Sequence, residues 1–337
     1  MKPWKLILIC CAAGLVCPLR AAPLFEDDST LEIELEGPFW SLLENRQERN
    51  EWPFRLRTQA YEVDLQIKAR GNSRMRICEF PPLRLNFNQD DTAGTPFAGQ
   101  DKLKLVTRCK KASNSEADVL EEYAAYQIFG LFSEVGYRTR LVHIRYNDSD
   151  GRLKEKYADS FGFLVETQEQ LAERVAGTLT GIAAVSLGQL DANQAALLYV
   201  FQYLIANTDW SFVAAENDEN CCHNVDLYKI GPKLWPVPYD FDLAGLVNAS
   251  YAFPDPSLKI KKVRMRQYRG FCTDTRVLRN ALHTITSSKE EVLAVIDDLP
   301  LLTEKQKAKQ LAYLDQFFRK AEDEDKLIHS FEKSCHP

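Results

Sequence analysis

From Leu31 to about Phe87 the chain alternates apolar and polar residues with a period of two, most plainly over Leu31 to Leu35, Val63 to Ile67 and Leu83 to Phe87. Alternation of this kind puts every second side chain on one face and predicts half-buried strands. A fourth strand is expected over Lys102 to Val106, where leucines alternate with Lys102 and Lys104. A turn at residues 70–74, containing Gly71, Asn72 and Ser73, follows the Val63 strand. Ser115 followed by Asp118 reads as a helix start, and Leu120, Ala124, Ile128 and Leu131 recur at helical spacing to about Phe132. Val119, Tyr126 and Phe129 widen that apolar face, and Glu122 falls among them. An acid there is unusual. Two more strands, Arg140 to Tyr146 and Phe161 to Glu166, flank the turn at residues 147–151. Near residue 170 the period changes. Leu190 to Asn207 reads as a helix with Leu197, Leu198, Phe201, Leu204 and Ile205 on one face, and the last 50 residues as two amphipathic helices.

The N-terminus departs from this pattern. Lys2 and Lys5 precede an apolar run from Leu6 to Val16, and Ala21 follows shortly after. This is the layout of a secretory signal peptide cleaved after Ala21. The apolar run is shorter than the roughly 20 residues that span a bilayer, so no stable membrane insertion is expected and the chain should be secreted or periplasmic. The expected organisation is a signal peptide over 1–21, a β-rich part with one long helix over 22–168, and a helical part over 169–337.

Removing Lys2, Lys5 and Arg20 from the 42 Lys and Arg leaves 39 against 48 Asp and Glu, an excess of nine negative charges. That balance argues against a nucleic-acid partner. Six cysteines remain after the signal: Cys78, Cys109, Cys221, Cys222, Cys272 and Cys335. In an oxidising compartment they are expected to form disulfides. Cys78 and Cys109 share the β-rich part and are expected to pair. Cys221 and Cys222 would then bond Cys272 and Cys335, in an order the spacing leaves open.

Asp209, His223, Asn224, Asp240 and Asp242 crowd into one stretch, the last two just after the apolar strand Leu234 to Tyr239. Carboxylates with an amide oxygen are hard ligands suited to Mg²⁺ or Mn²⁺. Phosphoryl transfer of the kinase type needs a metal-binding Asp after a strand, a metal-binding Asn, an Asp near the accepting hydroxyl, and a Lys held on phosphate by a helix Glu. Each has a candidate in chain order. Gly71, Asn72 and Ser73 would cover phosphates, Lys104 or Lys102 would contact them, and Glu122 would hold that lysine. Asp209, Asn224 and Asp240 follow in the helical half.

The residues 69–73, the strands after them, Phe161 to Glu166, Asn207 to Asp209 with His223 and Asn224, and Pro238 to Asp242 together resemble the spore coat protein H (CotH) type of secreted atypical kinase. The resemblance spans roughly residues 60 to 250. It implies an α+β, two-lobed, protein-kinase-like fold with a β-rich N-lobe and a helical C-lobe. It also implies transfer of phosphate from ATP, with Mg²⁺ or Mn²⁺, to Ser or Thr of an exported protein. Asp209 would be the catalytic acid, Asn224 and Asp240 metal ligands, with Asp242 a second metal ligand or a structural acid; Glu166 would border the nucleotide.

Two other classes stay open: a catalytically inactive kinase-fold binding module of the cell envelope, and a metal-dependent hydrolase using Asp240 and Asp242 to activate water. Lys259 to Arg269 carries six basic residues, the pattern of a solvated face or of a surface for an acidic protein. The oligomeric state leaves no mark in the sequence.

Overall fold

A computed structural model describes residues 24–110, 114–212 and 221–336, so the expected signal peptide over 1–21 lies outside the described residues. The chain begins with strand β1 (Leu31–Gly37), helix α1 (Phe39–Glu44), β2 (Trp52–Arg57), β3 (Glu62–Ala69), the short helix α2 (Arg74–Ile77), β4 (Leu83–Phe87), β5 (Lys102–Val106) and helix α3 (Asn114–Phe132). Strands β6 (Thr139–Asp148) and β7 (Asp159–Val165) follow. These seven strands close into a barrel in the order β1-β2-β3-β4-β5-β7-β6, and parallel pairing of β6 with β1 seals it. Closure leaves no free sheet edge.

The period-two pattern has its cause here. Leu35, Leu56, Ile67, Leu83, Leu85, Leu103, Leu105 and Ile144 are buried in one core, with Phe39 from α1 packed edge-on against Phe54 and Tyr146. Phe54 and Leu56 alternate in the same way on β2, a strand the pattern reading did not single out. Gly162 lies where β5, β6 and β7 meet. A Cβ there would come within 2.7 Å of the Val106 carbonyl oxygen, so only glycine allows the approach.

After β7 come α4 (Gln168–Arg174), β8 (Thr178–Leu179), α5 (Ala192–Leu204), β9 (Val225–Ile230), β10 (Lys233–Pro238), α6 (Thr275–Ser287), α7 (Lys289–Asp297), α8 (Glu304–Ala321) and α9 (Glu324–Ser334). The last 50 residues therefore hold three helices rather than two. The breaks fall at Leu299 to Leu302 and at Glu322 to Asp323, where Thr303 and Asp323 cap the next helix. A second core joins α3 to this part through Leu120, Ala124, Ile128 and Phe129 packed with Phe201, Leu198 and Phe241. The result is a mixed α+β fold in which α3 lies between barrel and helices.

The helix start at Ser115 also differs from expectation. The Ser115 hydroxyl accepts from the Lys110 amide at 2.8 Å, and the helix begins one residue earlier, at Asn114. Cys78 bonds Cys109, strapping the loop before β4 to the end of β5. The other pairing is a correction: Cys221 bonds Cys222, and Cys272 bonds Cys335. A bridge between Phe271 and His336 brings the last pair together, leaving the adjacent cysteines to each other. Three disulfides fit an oxidising, extracellular setting. Among the described residues no helix is long and apolar enough to cross a membrane.

Candidate functional site

A cavity of about 770 Å³ opens between the barrel wall and the β9–β10 hairpin. Strand register builds its cationic side. Lys68 on β3 pairs with Arg84 on β4, and Arg84 with Lys104 on β5, so three cations stand in a row on the outer face while their leucine neighbours fill the barrel. Arg70, just past β3, lengthens the row. Lys68 and Arg84 both reach Glu51. Arg70 and Lys104 have no ion-pair partner among the described residues. Burial lowers the pKa of each, and Arg70 lowers that of Lys104 further. Asp240 pulls on both in the opposite sense without pairing directly with either, so this wall carries two neighbouring half-buried cations. Lys104 Nζ lies 5.9 and 5.7 Å from the ring centres of Tyr137 and Tyr239, which hold it at the cavity wall.

The hairpin builds the opposite side. Because β9 and β10 pair up to Val225 and Pro238, the residues just outside them, Asn224 and Asp240, emerge at the same end. The Tyr239 amide donates to the Asn224 carbonyl at 3.1 Å. Asn224 and Asp240 both have left-handed backbone (φ 53 and 60), a conformation Asn and Asp tolerate better than most residues. Asn224 Nδ2 donates to Asp209 Oδ2 at 2.9 Å, and His223 Nε2 lies 2.9 Å from Asp209 Oδ1. Asp209 is thus clamped at both oxygens at the cavity edge. The Asp240 amide donates to Tyr126 Oη on α3 at 2.9 Å.

Arg74 joins the two sides. Gly71, with φ of 102, turns the chain after β3, and the Arg74 guanidinium then reaches Glu122 at 2.8 Å, Asp240 at 2.7 Å and Asp242 at 2.8 Å. The side chains of Arg74, Glu122 and Asp242 are 9%, 4% and 8% exposed, whereas that of Asp240 is 46% exposed, so of the three acids Arg74 holds, Asp240 is the one open to the cavity. Burial raises the pKa of Glu122 and Asp242, and the Arg74 guanidinium pulls both back down.

These contacts revise several expectations. Glu122 is held by Arg74, not by Lys104, because the loop after Gly71 delivers a guanidinium into the space a lysine from β5 would need. Lys102 points the same way as Lys104 but sits farther along β5, exposed, beside Asp101 and away from the cavity lining. Glu166 turns from the cavity and accepts from Arg174 Nε and Nη2, both at 2.8 Å. Gly71, Asn72, Ser73, Lys104, Asp209, Asn224, Asp240 and Asp242 all line the cavity. Arg70 and Arg74 were missed as site residues. Both stand in the turn at residues 70–74, yet nothing local signals that Arg74 meets acids 48, 166 and 168 residues away.

The donor set fits a hard divalent cation only in part. Asn224 Oδ1 and Asp240 Oδ2 carry no hydrogen bond among the described residues, and both are oxygen ligands suited to Mg²⁺ or Mn²⁺. Asp242 is engaged by Arg74, and among the described residues no three His, Cys, Asp or Glu side chains are grouped to hold a metal.

No family model matches the chain, and no curated protein matches it. Among solved structures it is similar to the crystal structure of a Helicobacter pylori proinflammatory kinase, CtkA, at 12% identity and a TM-score of 0.41, covering 75% of this chain and 90% of that one. At that level the likeness decides nothing about the activity of this chain.

Proposed function

We propose that the chain is a kinase-type phosphoryl transferase with two lobes, the barrel with α3 forming one and the part from α4 onward the other, and that a nucleoside triphosphate lies between them. The observation that carries this reading is the polarity of the cavity. Arg70 and Lys104 stand without a direct ion-pair partner among the described residues on one wall, and Asp209, Asn224 and Asp240 stand on the other. A polyphosphate bridging to a divalent cation satisfies both walls at once.

In this reading Arg70 and Lys104 bind phosphate oxygens, and Asn224 and Asp240 hold Mg²⁺ or Mn²⁺. The cation supplies neutralisation of charge on the phosphate oxygens. Asp209, oriented by His223 and Asn224, accepts the proton of an acceptor Ser or Thr hydroxyl. That oxygen bonds to the terminal phosphorus as the bond to the bridging oxygen breaks, and the nucleoside diphosphate leaves with the electron pair. Arg74 keeps Asp240 aimed into the cavity. The acceptor belongs to an exported protein.

A second reading, an inactive kinase-fold binding module, is favoured by one contact: Glu122 pairs with Arg74, leaving Lys104 without the helix glutamate that usually positions it. Turnover separates the two. Incubation of the mature chain with Mn²⁺ and γ-labelled ATP should transfer label to protein hydroxyls, and Asp209→Asn should lower the rate by about a hundredfold or more. Nucleotide binding without transfer would favour the module, and equal labelling by Asp209→Asn would remove Asp209 from the chemistry.

A further inference from the structure

The stretch after Leu243 leaves the cavity wall and is fastened at both ends to the segment that carries Asp240. It is pinned at its start by Tyr251, whose hydroxyl bonds the Asp242 carboxylate and whose ring lies 5.8 Å from Lys110 Nζ. At its end the Val263 carbonyl packs so closely on Gly245 that a Cβ there would lie 2.5 Å away. Gly245 in turn donates to the Ala206 carbonyl at 3.0 Å.

The six basic residues of Lys259 to Arg269 divide into two sets. Arg264 donates to Gln310 Oε1 and stacks on the Tyr313 ring at 3.9 Å. Arg266 donates to the Leu204 and Tyr313 carbonyls, and Arg269 to the Thr208 carbonyl. These three arginines bolt the stretch to α5 and α8. Lys259, Lys261 and Lys262 are exposed and have no ion-pair partner among the described residues. Asp255, the acid on the same stretch, accepts from the Ser257 amide at 2.8 Å. Phe253, on the same stretch, is 69% exposed.

We propose that residues 253–262 form a docking strip for an acidic segment of the protein whose hydroxyl enters the cavity, with Phe253 receiving an apolar residue of that segment. The proposal rests on the phosphoryl-transferase reading for the identity of the occupant as substrate, not for the binding itself. Three unpaired lysines on a chain with an excess of nine negative charges after signal removal form a local positive field that selects acidic partners. The same excess opposes broad attraction to nucleic acid or anionic membrane. The strip's two anchor points, at Asp242 and Gly245, tie it to the segment that carries Asp240, so a segment bound there raises the local concentration of its own hydroxyl near the cavity.

The test uses the full mature chain and a fluorescent peptide of about 20 residues, rich in Glu and Asp with one central Ser and one Phe. Anisotropy is read without nucleotide, so a failure of ATP binding leaves this measurement intact. The wild type should bind the peptide and ignore its Lys-substituted counterpart. The variant Lys259→Glu/Lys261→Glu/Lys262→Glu should weaken binding about tenfold or more, salt should do the same, and Phe253→Ala should add a smaller loss. Unchanged thermal melting of the triple variant shows that it folds. Equal peptide affinity in wild type and triple variant overturns the proposal. So does lysine-dependent binding to phosphatidylserine vesicles with none to the peptide, which would make the strip a membrane contact.

Discussion

Arg74 donates to Asp240 at 2.7 Å and so ties the loop after the third barrel strand to the second residue past the tenth strand. The same guanidinium holds Glu122 on α3 and Asp242. One side chain thus links the barrel, the central helix and the hairpin, and the position of Asp240 depends on all three.

Removal of Arg74 should therefore cost more than a surface ion pair. Arg74→Ala leaves Glu122 and Asp242 buried without their cation, a loss of about 3 to 5 kcal/mol. Urea denaturation measures it. Arg74→Lys should recover only part, since an ammonium cannot reproduce the guanidinium fork.

Lys102 and Lys104 share one strand face but differ in what they touch. Lys104→Ala should weaken nucleotide binding about tenfold to a hundredfold, the value of one charge-assisted contact. Lys102→Ala, changing an exposed side chain beside Asp101, should leave it within about twofold. Titration calorimetry on both variants decides the assignment.

Burial pushes Glu121 up to about 8 and Asp118 up to about 7, from ordinary values of 4.5 and 3.8. The folded chain thus keeps protons that the unfolded chain has released. The stability these groups contribute is complete below about pH 4 and is lost as pH rises through 7 and 8. The urea midpoint should fall between pH 5 and 8.5. Glu121→Gln, which can still accept from Gln310, should flatten that fall. Carboxylates with lowered pKa, such as Glu51 and Asp148, act in the opposite sense and only at more acid pH, so they do not mask it.

The bond between Cys272 and Cys335 closes a loop with a sequence separation of 63. On the chain-entropy account, Cys272→Ser/Cys335→Ser should lose about 4 kcal/mol, visible as a lower denaturation midpoint. The apolar face of α9, with Phe331 packed on Tyr268 and Tyr203, remains to hold the C-terminus.

Most of the barrel is legible in the sequence because each strand has one face in the core and one in water, which stamps a period of two on residues such as Leu83, Leu85 and Phe87. The long helix is legible for the same reason at a different period, and Glu122 stands out because an acid breaks its apolar face. The partner of Glu122 is not legible. Arg74 becomes its neighbour only when the barrel closes and Gly71 turns the chain inward, and no local pattern encodes that meeting. The cysteines are legible in part: Cys78 and Cys109 share the β-rich part and do pair, but the spacing of the other four admits several pairings, and the approach of Phe271 to His336 beside Cys272 and Cys335 is not written in it. Asn224 and Asp240 could be proposed as a pair from sequence, because a short hairpin returns its two ends to one place. The cationic row of Lys68, Arg84 and Lys104 requires strand register, which alternation alone does not specify.

The central claim is that Asp240 and the cationic wall together bind a metal-nucleotide complex. The most direct measurement is the melting temperature of the chain from Ala22 onward with Mn²⁺ and ATP, beside Asp240→Ala. At about 100 times the dissociation constant, binding adds roughly 2.7 kcal/mol, a rise of about 4 °C for a chain of this size. A rise that needs both Mn²⁺ and ATP and disappears in Asp240→Ala is the predicted result. No rise at millimolar ATP, or an equal rise in Asp240→Ala, would contradict it.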